Sequence, residues 1–188
     1  MISGGRMDTL ETIKTRRSVR RYKPDLIDDN TLSKVLEAAR WAPSWANTQC
    51  SRFIVVRNSS IKNELAATLT TTNPAANAIR TAPVVIVACA ELKRAGFYHG
   101  VSTTNKGDWY MFDVGIAMQN LCLAAHAIGL GTVHVGLFDA AKVEAILSVP
   151  AGYCVVEIMP LGYSDGEPRM TGRKELTEII FHDKFGEK

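Results

Sequence analysis

The segment Trp109–Ile128 constrains the fold most strongly, because it reads as one long helix with apolar or small residues nearly all round. Gly129 follows it and suits the left-handed conformation that commonly ends a helix. A helix that is hydrophobic nearly all round is buried on most sides. In a chain of 188 residues we therefore expect it at the centre of the core or packed against a second subunit. Its apolar and small residues are Val114, Ile116, Ala117, Met118, Leu121, Cys122, Leu123, Ala124 and Ala125.

The rest of the chain mixes strand and helix patterns, which predicts an α+β fold with a sheet flanked by helices. Pro83–Ala90 is apolar at every position, as in a strand covered on both faces. Asn30 or Thr31 is expected to cap one helix, and Asp139 another. The other predicted strands are Phe53–Val56, Thr132–Val135 and Tyr153–Met159, and the other predicted helices are Thr9–Thr15, Leu32–Trp41, Ile61–Leu69, Asn73–Ile79, Ala140–Leu147 and Glu175–Phe181.

Charge and cysteine content argue against several classes of function. The formal net charge is only +3, whereas a domain devoted to nucleic acid is usually far more basic. The four cysteines are widely separated without metal-binding spacing, so no metal site is expected. No segment has the apolar length of a membrane span and no signal segment is visible, so we expect a cytoplasmic protein. Residues 1–188 are expected to form one domain, in which residues 1–7 are a loose leader.

The stretch RRSVRRYKPD, Arg16–Asp25, places five cationic side chains within eight residues. Arginine offers a planar fork of donors that matches a phosphate, and Ser18 adds a hydroxyl donor. Such a cluster is either a solvated charged turn or a local site for an anion. The stretch alone does not decide between these two interpretations.

Two further segments carry polar groups or glycines at element boundaries. In Ala42–Gln49, the side chains of Ser44, Asn47 and Gln49 either bind a polar ligand or satisfy their own turn. In Gly129–Gly136, the last glycine would let the backbone approach a flat ligand closely. This segment lacks the spacing of a P-loop or a dinucleotide fingerprint. With no obvious acid–base residue, the three segments together favour a site where a bound cofactor carries the chemistry.

Four segments in order along the chain closely resemble the nitroreductase family of FMN-dependent oxidoreductases. They are RRSVRRY (Arg16–Tyr22), APSWANTQ (Ala42–Gln49), DVGIAMQNLCLAAHAIGLGTVHVG (Asp113–Gly136) and LGYSDGEPRMTGRKELTEII (Leu161–Ile180). The resemblance implies an α+β fold with a central mixed, mostly antiparallel sheet flanked by helices. It also implies a homodimer with two FMN sites at the subunit interface.

The resemblance assigns roles to individual residues. It implies that Arg16, Arg17 and Ser18 hold the FMN phosphate and ribityl chain. Arg20 would lie beside the pyrimidine edge of the flavin, where a cation stabilises the charge that reduction leaves. The remaining residues matched to FMN contacts are Pro43, Ser44 and Asn47 from the other subunit, with Gln49 as a weaker match, Val135 and Gly136 along the ring, and Arg173 (or Arg169) at the phosphate.

The activity implied is ping-pong hydride transfer, from NAD(P)H through FMN N5 to a nitroaromatic, quinone or similar small-molecule acceptor. The flavin itself would carry the reaction, so no catalytic side chain is expected beyond the tuning cation Arg20. The long segment Glu91–Asp108 and its surroundings supply a candidate wall or lid for the substrate pocket, or else ordinary packing residues. The aromatic residues concerned are Phe97, Tyr98, Trp109 and Tyr110.

Three alternatives remain open at this point. One is a specialised flavoenzyme of the same fold, such as a dehalogenase, a flavin-cleaving enzyme or a peptide-azoline oxidase. A second is a non-catalytic flavin-binding protein, which would not respond to NADH or NADPH. The third is a basic nucleic-acid module, which would bind oligonucleotides without flavin.

Overall fold

The computed structural model of the protein describes residues 8–187, so the leader predicted for residues 1–7 lies outside the described part. These described residues form six strands: β1 (Ser51–Val56), β2 (Val84–Glu91), β3 (Phe97–Tyr98), β4 (Val101–Ser102), β5 (Gly131–Thr132) and β6 (Tyr153–Gly162). The main sheet has the order β1-β2-β6-β5 with antiparallel pairing throughout, and β3 and β4 form a separate two-stranded ribbon. A parallel bridge between Ser18 and Thr132 gives the sheet its mixed character.

Seven α-helices surround the main sheet within the described residues. They are α1 (Thr9–Thr15), α2 (Asp29–Arg40), α3 (Ser59–Ala67), α4 (Ala75–Thr81), α5 (Tyr110–Ala127), α6 (Ala140–Ile146) and α7 (Leu176–Ile179). The predicted α+β fold with an antiparallel sheet and flanking helices is therefore confirmed.

Strand β2 is covered on both faces, as its continuous apolar sequence predicts. Its residues Val85 and Val87 face a core formed with α3, α4 and α6. Val84 and Ile86, with the opposite alternation, face a second core formed with α2 and α5. A strand buried on both faces needs no polar positions, because neither face meets water.

Helix α5 is buried on one side only within a single chain. Met118, Leu121 and Cys122 are fully buried against the sheet. Met111 and Phe112, at the start of the helix, each remain 58 % exposed. The prediction of burial on most sides thus holds for the sheet-facing half, and the outer half lacks a cover within residues 8–187.

Several predicted boundaries are wrong, each for a local reason. Helix α2 starts at Asp29 because Asp28, rather than Asn30 or Thr31, caps it by accepting from the Thr31 N–H at 2.9 Å. The predicted strand Thr132–Val135 is reduced to β5 and an isolated bridge between Val135 and Ile158. The predicted cap Asp139 is confirmed, since its carboxylate accepts from the Lys142 N–H at 3.2 Å.

The C-terminal part of the chain lies largely on the outside. Strand β6 runs on to Gly162, and the helix predicted at Glu175–Phe181 is only the four residues of α7. Nearly all residues from 165 to 187 are exposed. Among the described residues, none of the helices has both the length and the hydrophobicity needed to cross a membrane.

Candidate functional site

The basic segment is fixed against strand β5. The Val19 N–H donates to the Thr132 carbonyl at 2.9 Å, next to the Ser18–Thr132 bridge. Gly131 permits this approach, because a Cβ there would lie 2.5 Å from Val19 Cγ2. The positions of Arg16, Arg17 and Ser18 are therefore set by a close backbone contact with the main sheet.

Arg16 carries an unpaired polar atom in this fixed segment. Its Nη1 is buried and has no hydrogen-bond partner among the described residues. A buried donor on a charged group is costly unless an acceptor is bound. The neighbouring Arg17 is satisfied locally, since its Nη1 donates to the carbonyls of Lys14 and Arg16 at 2.6 and 2.8 Å. Arg16 is thus the residue of the cluster whose buried donor remains available for an acceptor outside the described chain.

His126 joins the same cationic region, which the sequence alone did not indicate. Its Nε2 lies 2.8 Å from Thr15 Oγ1, at the end of α1. Burial and then the charges of Arg16 and Arg17 lower the pKa of His126. Burial is the larger cause, and the smaller contribution from the two arginines comes from a positive potential that would favour a bound anion. Only the packing of α1 against α5 brings these residues together.

Arg20 and Arg169 line one small cavity of about 160 Å³, between the basic segment and the turn after β6. Arg173 lies elsewhere on the exposed C-terminal segment, and its Nη1 donates only to Thr171 and Gly172. Of the two arginines predicted for the phosphate, Arg169 therefore lies beside Ser18 and Arg20 within one chain.

A polar line of side chains runs from α5 to β6 beside the basic segment. Cys122 Sγ lies 2.9 Å from Thr132 Oγ1, and His134 Nδ1 lies 2.7 Å from Glu157 Oε1. Hydrogen bonds to Cys122 and Glu157 raise the pKa of His134 to about 9. Burial opposes ionisation of Cys122, but hydrogen bonds from His134 and Thr132 outweigh it and lower the pKa of the thiol. His134 is thus a partnered histidine that belongs to a chain of polar groups.

Gly136 faces open space next to this polar line. An added Cβ at Gly136 would meet nothing within 4 Å, whereas the preceding Val135 is fixed by its bridge to Ile158. Backbone without a side chain beside open space is compatible with a flat ligand lying against it. The predicted contact of Val135 and Gly136 with a ring is sterically possible in this structure.

The loop Ala42–Gln49 borders a larger cleft of about 560 Å³. Ser44 Oγ accepts from the Gln49 N–H at 2.9 Å, so part of the loop satisfies its own backbone. Asn47 is exposed. Within residues 8–187, no hydrogen bond joins this loop to the Arg16–Arg20 segment. The residues lining the cleft are Ser33, Leu36, Glu37, Ala39, Arg40, Ala42, Pro43, Ser44, Gln49, Ser51, Arg52, Phe53, Asp113 and Ala117.

The four candidate pocket aromatics are placed differently from one another. Trp109 packs against Trp45, with ring centroids 5.1 Å apart, and its Nε1 donates to Thr104 Oγ1 at 2.9 Å. Burial and the adjacent Cys154 raise the pKa of Tyr110. Phe97 and Tyr98 form strand β3, where the Tyr98 side chain is 71 % exposed. Trp109 and Tyr110 therefore serve packing in this chain, and Tyr98 is free to contact another molecule.

Residues 13–163 match the Nitroreductase family, and the chain belongs to that family. A protein of Methanothermobacter thermautotrophicus, provisionally named an NADH dehydrogenase/NAD(P)H nitroreductase, is 35% identical over 169 residues, covering 87% of this chain and 81% of that protein. A 5,6-dimethylbenzimidazole synthase of Rhodospirillum rubrum is 31% identical over 166 residues, covering 79% of this chain and 78% of the synthase. The solved structure of an FMN-dependent nitroreductase from Clostridium difficile is similar with a TM-score of 0.78 and 26% identity, covering 94% of this chain and 99% of that one.

Proposed function

We propose that the protein is an FMN-dependent NAD(P)H oxidoreductase that delivers hydride to a nitroaromatic, quinone or similar small-molecule acceptor. The observation that carries this proposal is the buried, unpaired Nη1 of Arg16 in a segment fixed to the sheet. The family match and the FMN-dependent relative of similar structure support the choice of cofactor.

The basic segment suits the phosphate of FMN. Arg16 would donate from its unpaired nitrogen to a phosphate oxygen, and Ser18 would add a hydroxyl donor. The positive charge of Arg17, beside His126, would favour a dianion over a neutral ligand. We propose Arg169 or Arg173 as a further phosphate contact, with Arg169 favoured because it lines the cavity beside Ser18.

The flavin ring is proposed to lie along the backbone of Val135 and Gly136. When bound, FMN would supply the hydride chemistry between NAD(P)H and the acceptor. Arg20 would hold a fixed positive charge near the ring and so favour its reduction. The exposed ring of Tyr98 and its neighbour Phe97 would cover the substrate side.

A homodimer is proposed as the functional unit. The exposed outer side of α5, with Met111 and Phe112, is an apolar surface that a second chain would cover. Within residues 8–187, the loop with Pro43, Ser44 and Asn47 makes no hydrogen bond to the basic segment, which supports the expectation that it reaches FMN in the other subunit. The C-terminal segment adds Met170, Leu176, Ile179, Ile180 and Phe185 as further exposed apolar residues.

Stopped-flow mixing with NADH or NADPH tests the proposed activity. The proposal predicts that flavin absorbance bleaches on the timescale of turnover and returns when menadione or a nitroaromatic is added. A flavin-loaded protein that is inert to both nucleotides would instead be a non-catalytic flavin-binding protein.

A second candidate is a flavin-cleaving enzyme of the same fold, one of the alternatives that the sequence leaves open, and a relative with 31% identity is named a 5,6-dimethylbenzimidazole synthase rather than a nitroreductase. The two candidates differ in the fate of FMN. An oxidoreductase recovers its FMN intact after many turnovers, whereas a flavin-cleaving enzyme consumes it. Chromatography of the flavin after aerobic incubation with excess NADPH separates these outcomes.

A further inference from the structure

The carboxylate of Asp113 makes an unusual set of contacts in the first turn of α5. It is 2 % exposed, and its two oxygens accept from the Trp45 N–H at 3.1 and 3.0 Å. Its Oδ2 also accepts from the Cys50 thiol at 3.6 Å. No lysine, arginine or histidine among residues 8–187 forms an ion pair with it. The positive end of the 18-residue helix α5 partly compensates the buried charge.

The loop held by Asp113 has a strained backbone. Ala46, Asn47 and Gln49 adopt left-handed φ values of 41°, 55° and 50°. A non-glycine residue in this region costs on the order of 1 kcal/mol or more, and three in four positions persist only if the surroundings enforce them. The bonds inside the loop, such as Asn47 N–H to the Ser44 carbonyl, do not fix it to the body of the protein.

Asp113 supplies that attachment. It holds the first residue of the strained turn through the Trp45 N–H, and the residue after the turn through the Cys50 thiol. The Trp45 ring adds a second contact, because it packs at a tilt against the ring of Trp109, the residue that precedes α5. The loop conformation therefore depends on one buried side chain about 65 residues further along the chain.

We propose that Asp113 is the positioning residue of the cofactor loop, fixing Trp45 and Cys50 so that Ser44 and Asn47 face the FMN. The role in FMN binding rests on the proposed function, whereas the attachment of the loop does not. Nothing in the contacts places Asp113 at the reacting atoms, so its action is through the loop.

The variant Asp113→Asn isolates this role. Asparagine has nearly the same shape, but its NH₂ group would face a donor, either the Trp45 N–H or the Cys50 thiol. The variant loses a charge-assisted hydrogen bond and leaves one donor facing another donor. The population of the open loop should therefore rise about 10-fold or more. Asp139→Asn is the matched control, because it also changes an aspartate at a helix N-terminus, on α6, and asparagine caps a helix equally well.

The first measurement is alkylation of Cys50 by iodoacetamide in the flavin-free protein, followed by mass spectrometry. Burial and the charge of Asp113 raise the pKa of Cys50 to about 12, so the wild-type thiol should react slowly. We expect Asp113→Asn to react about 10-fold faster or more, because the loop opens and because the charge that raises the Cys50 pKa is removed, and Asp139→Asn to react like wild type. An unchanged Cys50 rate in a folded Asp113→Asn protein would overturn the attachment of the loop by Asp113.

The second measurement is the FMN dissociation constant, taken at a temperature where circular dichroism shows each variant fully folded. We expect the FMN dissociation constant of Asp113→Asn to be about 10-fold larger than that of wild type. The riboflavin dissociation constant should rise by the same factor, because the loop does not contact the phosphate. If Asp113→Asn has a lower melting temperature but the FMN affinity of wild type, Asp113 only stabilises the fold, and its positioning role is refuted. If the wild type does not bind FMN at all, the proposed function fails, while the Cys50 rates still decide whether Asp113 holds the loop.

If Asp113→Asn does not fold, hydrogen exchange in the wild-type protein replaces it. The Trp45 amide should exchange at least about 100-fold more slowly than the Ala46 amide, since only the former donates to Asp113. Equal exchange at the two amides would contradict the proposal.

Discussion

Arg16 illustrates how one residue can identify the kind of ligand a site needs. Its guanidinium group has a buried nitrogen without a partner in a chain that otherwise satisfies its buried polar side chains, apart from the Thr48 hydroxyl, within residues 8–187. The adjacent Arg17 adds positive charge and, as a guanidinium, supplies no acceptor; its own Nη1 donates to the carbonyls of Lys14 and Arg16. An anion is the partner that completes this arrangement.

Arg16→Ala should weaken FMN binding by about 10- to 100-fold, which corresponds to the loss of a charge-assisted hydrogen bond. Riboflavin, which lacks the phosphate, should bind the variant and the wild type alike, and fluorescence quenching titrations measure both. Arg40→Ala, which removes an arginine paired with Glu37 on α2, is the control. Equal losses for FMN and riboflavin would show that Arg16 does not contact the phosphate.

His134 is predicted to titrate near pH 9, and His126 below its ordinary value, when their ring protons are followed by NMR. Because the pKa of His134 is higher in the folded chain than in the unfolded one, its proton stabilises the fold. That stabilisation is complete below about pH 6.5 and is lost as the pH rises through 9. Glu157→Gln should move the His134 titration downwards, and an unmoved midpoint would contradict the contact between them.

At the scale of secondary structure elements, the site depends on contacts between parts of the chain that are far apart in sequence. Segment Arg16–Val19 meets β5 more than a hundred residues later, and the loop at Trp45 meets the start of α5. The helix α5 lies between these two contacts and supplies Cys122 and His126 to one and Asp113 to the other. A change in its packing would therefore affect both.

Gly131→Ala tests the contact between the basic segment and β5. The new Cβ would lie within 3 Å of three Val19 carbons, so the segment must shift. We expect a loss of about 1–3 kcal/mol in the free energy of unfolding, together with weaker FMN binding. Gly172→Ala, where a Cβ would meet nothing within 4 Å, is the control. Full FMN affinity in Gly131→Ala would mean that the segment does not depend on this approach.

The elements themselves were largely predictable, and the contacts between them were not. Strand β2 and helix α5 could be predicted from their hydrophobic patterns, because a continuous apolar run indicates a strand covered on both faces and an apolar helix indicates a buried one. The α2 boundary was wrong because four consecutive residues, Asp28 to Thr31, could each cap a helix, and Asp28 was the one that did. The role of Asp113 could not be predicted from its sequence neighbours. It depends on a distant loop in which Ala46, Asn47 and Gln49 have positive φ, and local propensity does not predict that conformation.

At the scale of the whole molecule, a single chain leaves much apolar surface uncovered. Met111 and Phe112 on α5 are exposed, and so are the apolar residues Met170, Leu176, Ile179, Ile180 and Phe185 of the C-terminal segment. Soluble monomers rarely expose such surface without a partner. The family match ends at residue 163, so this C-terminal segment lies beyond the part of the chain that the family model covers.

Phe112→Glu should dissociate the proposed dimer, because a carboxylate would be buried in an apolar interface. Light scattering after size-exclusion chromatography should give the mass of two chains for wild type and a lower mass for the variant. Val55→Glu, on the edge strand β1, makes the same kind of change at another exposed apolar residue and should leave the mass unchanged. A wild-type mass of one chain would refute the dimer.

The central claim is that the segment around Arg16 holds FMN. Its most direct test is the absorbance spectrum of the protein after incubation with FMN and removal of free flavin, with mass spectrometry of what is released on denaturation. The account predicts a yellow protein that releases one FMN per chain. A colourless protein that releases no flavin would contradict it.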